Sequence, residues 1–194
     1  MATPSRVRDD LPVMTISFSR GACTAIVLED SAVQAPRLNR SRASGILERV
    51  IEQTFTSHSV RDTEAIAQEF ARSLRGGECL ALSGDLGAGK TQFVRGLVAG
   101  LGGDSRTVSS PTFVLLNVYD TGRLKVFHLD AYRVSGSEDF EAIGFAELLE
   151  QPDAIVVVEW AERVKQLLPE RNRWDVQIET LSPQIRRIRM QRTA

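Results

Sequence analysis

A glycine-rich octapeptide in the middle of the chain limits the folds that this sequence can adopt. Residues 84–91 read GDLGAGKT and match the phosphate-binding pattern G-x-x-x-x-G-K-[ST] without a mismatch. Glycines let the backbone turn with its N–H groups pointing inward, and the N-terminus of a following helix adds a positive dipole, so the loop can bind an anion. The apolar, strand-like segment ECLALSG precedes the loop, and TQFVRGLVAGLGG follows as a helix. The sequence therefore predicts a nucleotide-phosphate site between a strand and a helix.

The residue types in and after this loop predict specific roles. Lys90 is expected to bridge the β- and γ-phosphates, and the Thr91 hydroxyl to bind magnesium. A magnesium site also needs an acid at the end of a neighbouring strand. KVFHLD ends at Asp130 and AIVVVE ends at Glu159. The spacing does not decide which of the two acids contacts the metal, and a carboxylate there can also orient the attacking water.

Between the loop and the acids lies VSSPTF, residues 108–113. Its hydroxyl groups surround a proline that restrains the turn. Two interpretations stay open: a switch segment that senses the γ-phosphate, or a Ser-Pro turn that leads into a strand.

Other side chains also allow two interpretations. Trp160 directly follows Glu159 and is either a packing residue or a surface for a base or a partner. His128 alternates with Phe127 in an apolar segment, which favours a structural role. Three interpretations stay open for Arg186, Arg187 and Arg189 of QIRRIRM: a solvated strand face, a position flanking the nucleotide, or a contact with RNA.

The pattern along the chain predicts an α/β fold, a layered phosphate-loop NTPase-like domain with a largely parallel central sheet flanked by helices. SVRDTEAIAQEFARSLRGG predicts a helix capped by Ser59, with Asp62 at the capping-box position, and closed by Gly76 and Gly77. Further strands are predicted for 112–120, 123–132 and 154–160, a helix for 138–150, and a closing strand pair in WDVQIETLS and IRRIRM.

The first fifty residues differ from the rest. VMTISF (13–18) and TAIVLED (24–30) resemble two short strands, and the arginine-rich 35–45 resembles a linker. We consider a disordered tail, a small accessory hairpin, or a misassigned translation start with Val50 as the first codon. The predicted organisation is an N-terminal extension over 1–52 and a phosphate-loop ATPase domain over 53–194.

Composition excludes several classes of protein. The formal net charge is −1, so no overall field attracts nucleic acid or membranes. Cys23 and Cys79 match no metal spacing and form no disulfide framework, which favours a reducing compartment. No apolar run approaches the length of a membrane span, about 18 residues. We expect a cytoplasmic protein that does not bind membranes.

Other motifs in the chain indicate which class of nucleotide hydrolase this is. A GTPase carries an Asn-Lys-x-Asp element, which this chain lacks, so ATP is favoured. A stand-alone small-molecule kinase remains the alternative on size and loop alone. However, the ordered series SVRDTEAIA, LSGDLGAGKTQFVRGL, VSSPTF, VFHLDAYR, EAIGFAELL and VVVEWAERV closely resembles the TsaE (YjeE) family. The resemblance extends from about residue 57 to the C-terminus.

This resemblance implies a bacterial ATPase of tRNA threonylcarbamoyladenosine biosynthesis that acts with TsaB and TsaD and meets tRNA indirectly, through that complex. Its ATP hydrolysis, slow when the protein is alone, would reset the complex. The cofactors implied are ATP or ADP and Mg²⁺. Matched by position, the phosphate-binding residues are Gly87, Ala88, Gly89, Lys90, Thr91 and Gln92, although a second Thr or Ser is common where Gln92 stands. Thr91 and Glu159 match the magnesium-linked pair, Asp130 a second functional acid, Trp160 a functional tryptophan, and Ser110, Pro111 and Thr112 the switch segment.

Overall fold

The computed structural model describes residues 51–134 and 136–193. The strands predicted at 13–18 and 24–30 and the linker predicted at 35–45 lie outside the described residues. No helix of the described part is long and apolar enough to cross a membrane.

A single mixed sheet organises the described residues. Its strands are β1 (Ile51–Ser57), β2 (Glu78–Ser83), β3 (Leu116–Asp120), β4 (Lys125–Asp130), β5 (Ala154–Glu159), β6 (Arg173–Thr180) and β7 (Arg186–Thr193). Their order across the sheet is β1-β7-β6-β2-β5-β4-β3. The helices are α1 (Val60–Ala71), α2 (Lys90–Gly100), α3 (Glu138–Ala142) and α4 (Phe145–Leu149). Two 3₁₀ helices cover Ser105–Thr107 and Ala161–Leu167.

The centre of the sheet is parallel, in agreement with the predicted α/β fold. Strands β6, β2, β5 and β4 run in one direction, whereas β1 and β7 at one edge and β3 at the other add antiparallel pairs. Every residue of β5 is buried. Strands covered on both faces read as continuous apolar runs, which is why AIVVVE lacks polar alternation.

Successive residues of β2 point to opposite faces and enter two separate cores. Leu80 and Leu82 pack with α1 and α2, and Phe93 and Leu97 of α2 belong to this same cluster. Cys79 and Ala81 enter the second cluster with Phe140 and Phe145 of α3 and α4. Burial raises the pKa of the Cys79 thiol to about 12, so it stays protonated. Strand β2 is therefore packed on both faces, and the phosphate loop begins at its end.

Helix α1 begins where it is predicted but ends earlier. The Ser59 hydroxyl accepts a hydrogen bond from the Asp62 N–H, which confirms the N-cap. The Asp62 carboxylate in turn accepts from the His58 N–H. The helix ends at Ala71 rather than at Gly76 and Gly77, because the next N–H groups bond to carbonyls three residues back and the Arg123 side chain binds the carbonyl of Ala71.

Two other predictions about elements need correction, and one strand was not predicted. Gly144 adopts φ 68° and divides the helix predicted over 138–150 into α3 and α4. The strand predicted from Thr112 begins only at Leu116, because the Pro111 carbonyl accepts from the N–H groups of Val114 and Leu115 and closes a turn. Strand β1 is not predicted at all, although it starts at Ile51 and pairs with β7 over its whole length.

Gly96 allows α1 and α2 to approach closely. A Cβ atom at this position would lie 2.1 Å from the Glu64 carbonyl oxygen. We expect Gly96→Ala to lower the free energy of unfolding by about 1–3 kcal/mol, because overpacking outweighs the gain of about 1 kcal/mol in helix propensity. Urea titration measures the change. The control Gln68→Ala also introduces an alanine, but at an exposed position of α1, and should leave the free energy of unfolding almost unchanged. An equal free energy of unfolding in both variants would refute the close packing at Gly96.

Candidate nucleotide-phosphate site

A cavity of about 830 Å³ lies at the carboxyl ends of the central parallel strands. This edge of an open α/β sheet is the usual location of a ligand site. Of the residues predicted to form the site, the cavity is lined by Gly87, Ala88, Gly89, Lys90, Thr91, Gln92, Ser110, Thr112, Asp130, Glu159 and Trp160. Pro111 is not among the lining residues; it is buried, and its carbonyl closes the turn described above.

The phosphate loop needs glycine at two positions for different reasons. Gly84 has φ 143°, and a Cβ atom there would lie 2.3 Å from the Ile178 carbonyl oxygen of β6. Gly89 has φ 108° and caps the N-terminus of α2 in the left-handed region, where side-chain-bearing residues are disfavoured. The loop therefore turns directly into the helix, and the free N–H groups of its first turn lie beside the cavity.

Lys90 is held beneath this loop. Its side chain is 5% exposed, and its ammonium group donates hydrogen bonds to the carbonyl oxygens of Gly84 (2.6 Å) and Asp85 (3.0 Å). The ammonium nitrogen also lies 3.6 Å from the centre of the Trp160 ring. Burial lowers the pKa of Lys90, while the nearby carboxylates of Glu159, Glu162, Asp130 and Asp85 act in the opposite direction. These carboxylates favour the charged form that a phosphate group would meet.

Thr91 and Glu159 meet across the ends of α2 and β5. The Thr91 hydroxyl donates to the Glu159 Oε1 atom at 2.8 Å, although the residues are 68 positions apart in the chain. Both groups are oxygen donors, the type that Mg²⁺ prefers. The donor set thus fits a magnesium ion beside the phosphate loop.

Asp130 connects the end of β4 to segment 108–113. Its Oδ2 atom accepts from the hydroxyls of Ser110 (2.7 Å) and Thr112 (2.6 Å), while Oδ1 accepts from the Tyr132 N–H (2.8 Å). Asp130 itself is 3% exposed. A buried carboxylate that receives three hydrogen bonds is firmly oriented, so this acid determines where the hydroxyls of the segment lie.

Trp160 is a packing residue that also lines the cavity. It packs beside Tyr132, with ring centres 5.0 Å apart, and against the second core cluster, and the Lys90 ammonium lies over its ring. Its backbone has φ 58°, an uncommon conformation for a large residue that is concentrated at functional sites. This turn places the ring over the lysine immediately after Glu159 leaves the sheet.

Some residues of the cavity are not among the predicted phosphate-binding, metal or switch residues, although the sequence leaves open a position beside the nucleotide for Arg186. Arg186 donates from Nε to the Ala88 carbonyl oxygen (3.1 Å) and joins the turn after β6 to the phosphate loop. Pro183 and Gln184 also line the cavity, and His58 lines it near the start of α1. Period-two alternation in IRRIRM places Arg186 on the same face as buried Ile188 and Met190, but only the sheet order shows that this end of β7 reaches the loop. Arg187 instead forms an exposed ion pair with Glu179.

His128 is fully buried, and its Nε2 atom lies 2.8 Å from the Glu159 Oε1 atom. The alternation of His128 with Phe127 indicates a structural role but does not predict this contact with the site.

Comparison with known proteins identifies the family. The model of "Threonylcarbamoyl adenosine biosynthesis protein TsaE" matches residues 57–188, which is more than half of the chain. The chain belongs to the TsaE family. The matched range of this TsaE-family chain contains the phosphate loop, segment 108–113 and both acids.

Individual relatives agree with this assignment. A TsaE protein of Treponema pallidum is 45% identical over 114 residues, covering 59% of this chain and 82% of that protein. A TsaE protein of Rickettsia prowazekii is 37% identical over 113 residues, covering 58% and 77%. The crystal structure of Bacillus subtilis YdiB aligns with a TM-score of 0.59 at 29% identity, covering 75% of this chain and 88% of YdiB.

Asp130→Asn should loosen segment 108–113, because an amide oxygen accepts the hydrogen bonds of the two hydroxyl groups more weakly than a carboxylate does. Hydrogen bonds to a charged group contribute about 1.5–3 kcal/mol, so we expect amide exchange in the segment to rise by about tenfold or more. Hydrogen–deuterium exchange measures this change. Asp120→Asn makes the same replacement at the end of β3, where the carboxylate binds the Gly122 N–H, and should leave the segment unaffected. Unchanged amide exchange of the segment in Asp130→Asn would contradict the conclusion that Asp130 holds segment 108–113 in place.

Proposed function

We propose that this TsaE-family protein is an ATP hydrolase that supports tRNA threonylcarbamoyladenosine biosynthesis. The observation that carries the proposal is the meeting of Lys90, Thr91 and Glu159 beside the glycine loop, at the carboxyl edge of a parallel sheet. The names of the relatives supply the biological process, and the absence of an Asn-Lys-x-Asp element favours ATP over GTP.

The phosphate groups of ATP would lie against residues 87–92. N–H groups of the loop and of the first turn of α2 donate to the phosphate oxygens, and Lys90 supplies a positive charge to the transferred phosphoryl group. Before phosphate binds, the ammonium of Lys90 is held by two carbonyl oxygens and the Trp160 ring, so its direction is already set. Preorganisation of this kind reduces the cost of reorganisation during reaction.

The oxygens of Thr91 and Glu159 would hold Mg²⁺, which supplies charge neutralisation for the phosphate groups when it is bound. Asp130 then has a separate task. It positions Ser110 and Thr112 by its two hydrogen bonds and orients the water that attacks the phosphoryl group. The segment 108–113 thus acts as a switch, because its hydroxyls lie between an acid and the phosphate position.

The proposed partners are TsaB and TsaD, with tRNA contacted through the complex they form. The near-neutral charge of the chain supports an indirect contact, since direct tRNA binding usually requires a broad basic surface. In this proposal TsaD performs the transfer of the threonylcarbamoyl group, and ATP hydrolysis here resets the complex for further turnovers. The proposed location is the cytoplasm.

ATP hydrolysis by the purified chain, alone and with TsaB and TsaD, tests this function. We expect slow hydrolysis alone, stimulation by the partners, and a loss of about 100-fold or more in Lys90→Ala, the size typical for removal of a key electrostatic group. Lys125→Ala, an exposed lysine at the start of β4, is the matched control and should keep full activity. Hydrolysis unaffected by both partners would refute the role in the complex, and phosphate transferred to a metabolite would indicate a kinase.

The magnesium assignment predicts a different phenotype for Thr91. In Thr91→Val the hydroxyl is lost, and the Mg²⁺ concentration required for half-maximal hydrolysis should rise by about tenfold or more. Thr91→Ser retains the hydroxyl and should restore a nearly native requirement. A normal magnesium requirement in the valine variant would remove Thr91 from the proposed metal site.

A further inference from the structure

A second set of contacts joins Glu159 to segment 108–113 from behind the cavity. The Oε1 atom of Glu159 lies 2.8 Å from the Thr91 hydroxyl and 2.8 Å from Nε2 of His128. The other ring nitrogen of His128 lies 3.5 Å from the Tyr119 hydroxyl. That hydroxyl reaches the backbone of Ser109, the residue before Ser110. The contacts therefore run from the proposed magnesium site to the proposed switch through β4 and β3.

His128 restricts the positions that the Glu159 carboxylate can adopt. The imidazole is fully buried and Glu159 is 3% exposed, so water cannot easily replace either partner. With a carboxylate as the acceptor, Nε2 carries the proton and donates. In the tautomer whose ring proton is on Nε2, Nδ1 is an acceptor that faces Tyr119, because the hydrogen bond made at one ring nitrogen sets the tautomer.

The Tyr119 hydroxyl has one proton and two nearby acceptors, the Ser109 carbonyl oxygen and His128 Nδ1. Its oxygen accepts from the Ser109 N–H (3.3 Å) and from the Asn117 amide (3.1 Å). Its single proton points to the Ser109 carbonyl oxygen at 3.1 Å, while His128 Nδ1 lies farther away at 3.5 Å. A small movement of Ser109 would transfer this donation to His128. The choice of acceptor thus depends on the position of the switch segment.

We propose that His128 is a positioning residue that fixes Glu159 and, through Tyr119, links it to segment 108–113. The inference rests on the proposed function, since it assigns a role toward Mg²⁺ and ATP. When the segment moves toward the phosphate position, Tyr119 donates to Nδ1 and strengthens the donor at Nε2. Glu159 is then oriented for magnesium when the segment reaches the phosphate position.

Isosteric substitutions separate the two ends of the imidazole. A glutamine amide nitrogen overlays Nε2, so His128→Gln keeps the donor to Glu159 and loses the contact with Tyr119. An asparagine amide overlays Nδ1, so His128→Asn loses the donor to Glu159. Tyr119→Phe keeps the ring and removes only the hydroxyl. Val126→Ala is the control: Val126 is buried on the same face of the same strand and makes only apolar contacts in that core, so it matches the loss of packing.

We expect His128→Asn to lower kcat by about 10–100-fold, the range for loss of a partner that orients a metal ligand, with a smaller change in KM for ATP. His128→Gln should recover most of kcat, and Val126→Ala should lose stability without this loss of kcat. Equal kcat in His128→Asn and Val126→Ala, or a glutamine variant as impaired as the asparagine variant, would overturn the positioning role.

The link to the switch has its own measurement, hydrogen exchange of amides 108–113 in the full chain with and without Mg²⁺ and ADP. Tyr119→Phe should raise exchange in the segment, because it removes the hydrogen bonds to Ser109. His128→Gln should lower exchange, because Tyr119 then donates to Ser109 alone, and the double variant should behave like Tyr119→Phe. Additive effects would overturn the link. If the native chain hydrolyses no ATP, the proposed function fails, and His128 is still judged by whether His128→Asn raises the Mg²⁺ concentration needed for ADP binding.

Discussion

The parallel pairing of β2, β5 and β4 is the constraint on which the rest of the site depends. Leu82 of β2 lies opposite Glu159, and Glu159 lies opposite Asp130. The pairing thus ends three strands at one edge, where one strand continues into the phosphate loop and two end in acids. A shift of one residue in either ladder would turn the acid side chain to the opposite face of the sheet. The apolar contacts that fix the register therefore also fix the distance between Thr91 and Glu159.

The two acids at this edge occupy different surroundings. Glu159 is approached by Thr91 from α2 and by His128 from β4, whereas Asp130 is approached by hydroxyls from a turn. The partners of Glu159 lie in α2 and β4. The hydroxyl partners of Asp130 lie in segment 108–113, where Ser109 and Ser110 are exposed. One acid is thus bonded to regular elements and the other to a loop, an arrangement compatible with the metal and switch roles proposed for them.

The sequence predicted the features that depend on local chemistry. The glycine pattern, the Ser59 cap and the apolar runs of β2, β4 and β5 specify the loop, a helix start and the central strands, because glycine conformation, capping and burial each leave a residue-level signal. Features that depend on distant partners were not predicted. The contact of Arg186 with the Ala88 carbonyl, the approach of His128 to Glu159 and the pairing of β1 with β7 exist only once the strand order is known. The turn at Gly144 was missed because EDFEAIGFAELLE has helical periodicity on both sides of that glycine.

The placement of the two tryptophans gives the molecule a pair of optical reporters. Trp160 lies against the Lys90 ammonium at the cavity wall, so its emission will respond when a phosphate group binds beside that charge. Trp174 is 6% exposed and packs edge-on against Phe70, with ring centres 4.9 Å apart, in the core beneath α1. Its emission follows the integrity of the fold instead. A single unlabelled sample can therefore report ligand arrival and unfolding as separate signals, once each indole is replaced by phenylalanine in turn to assign its spectrum.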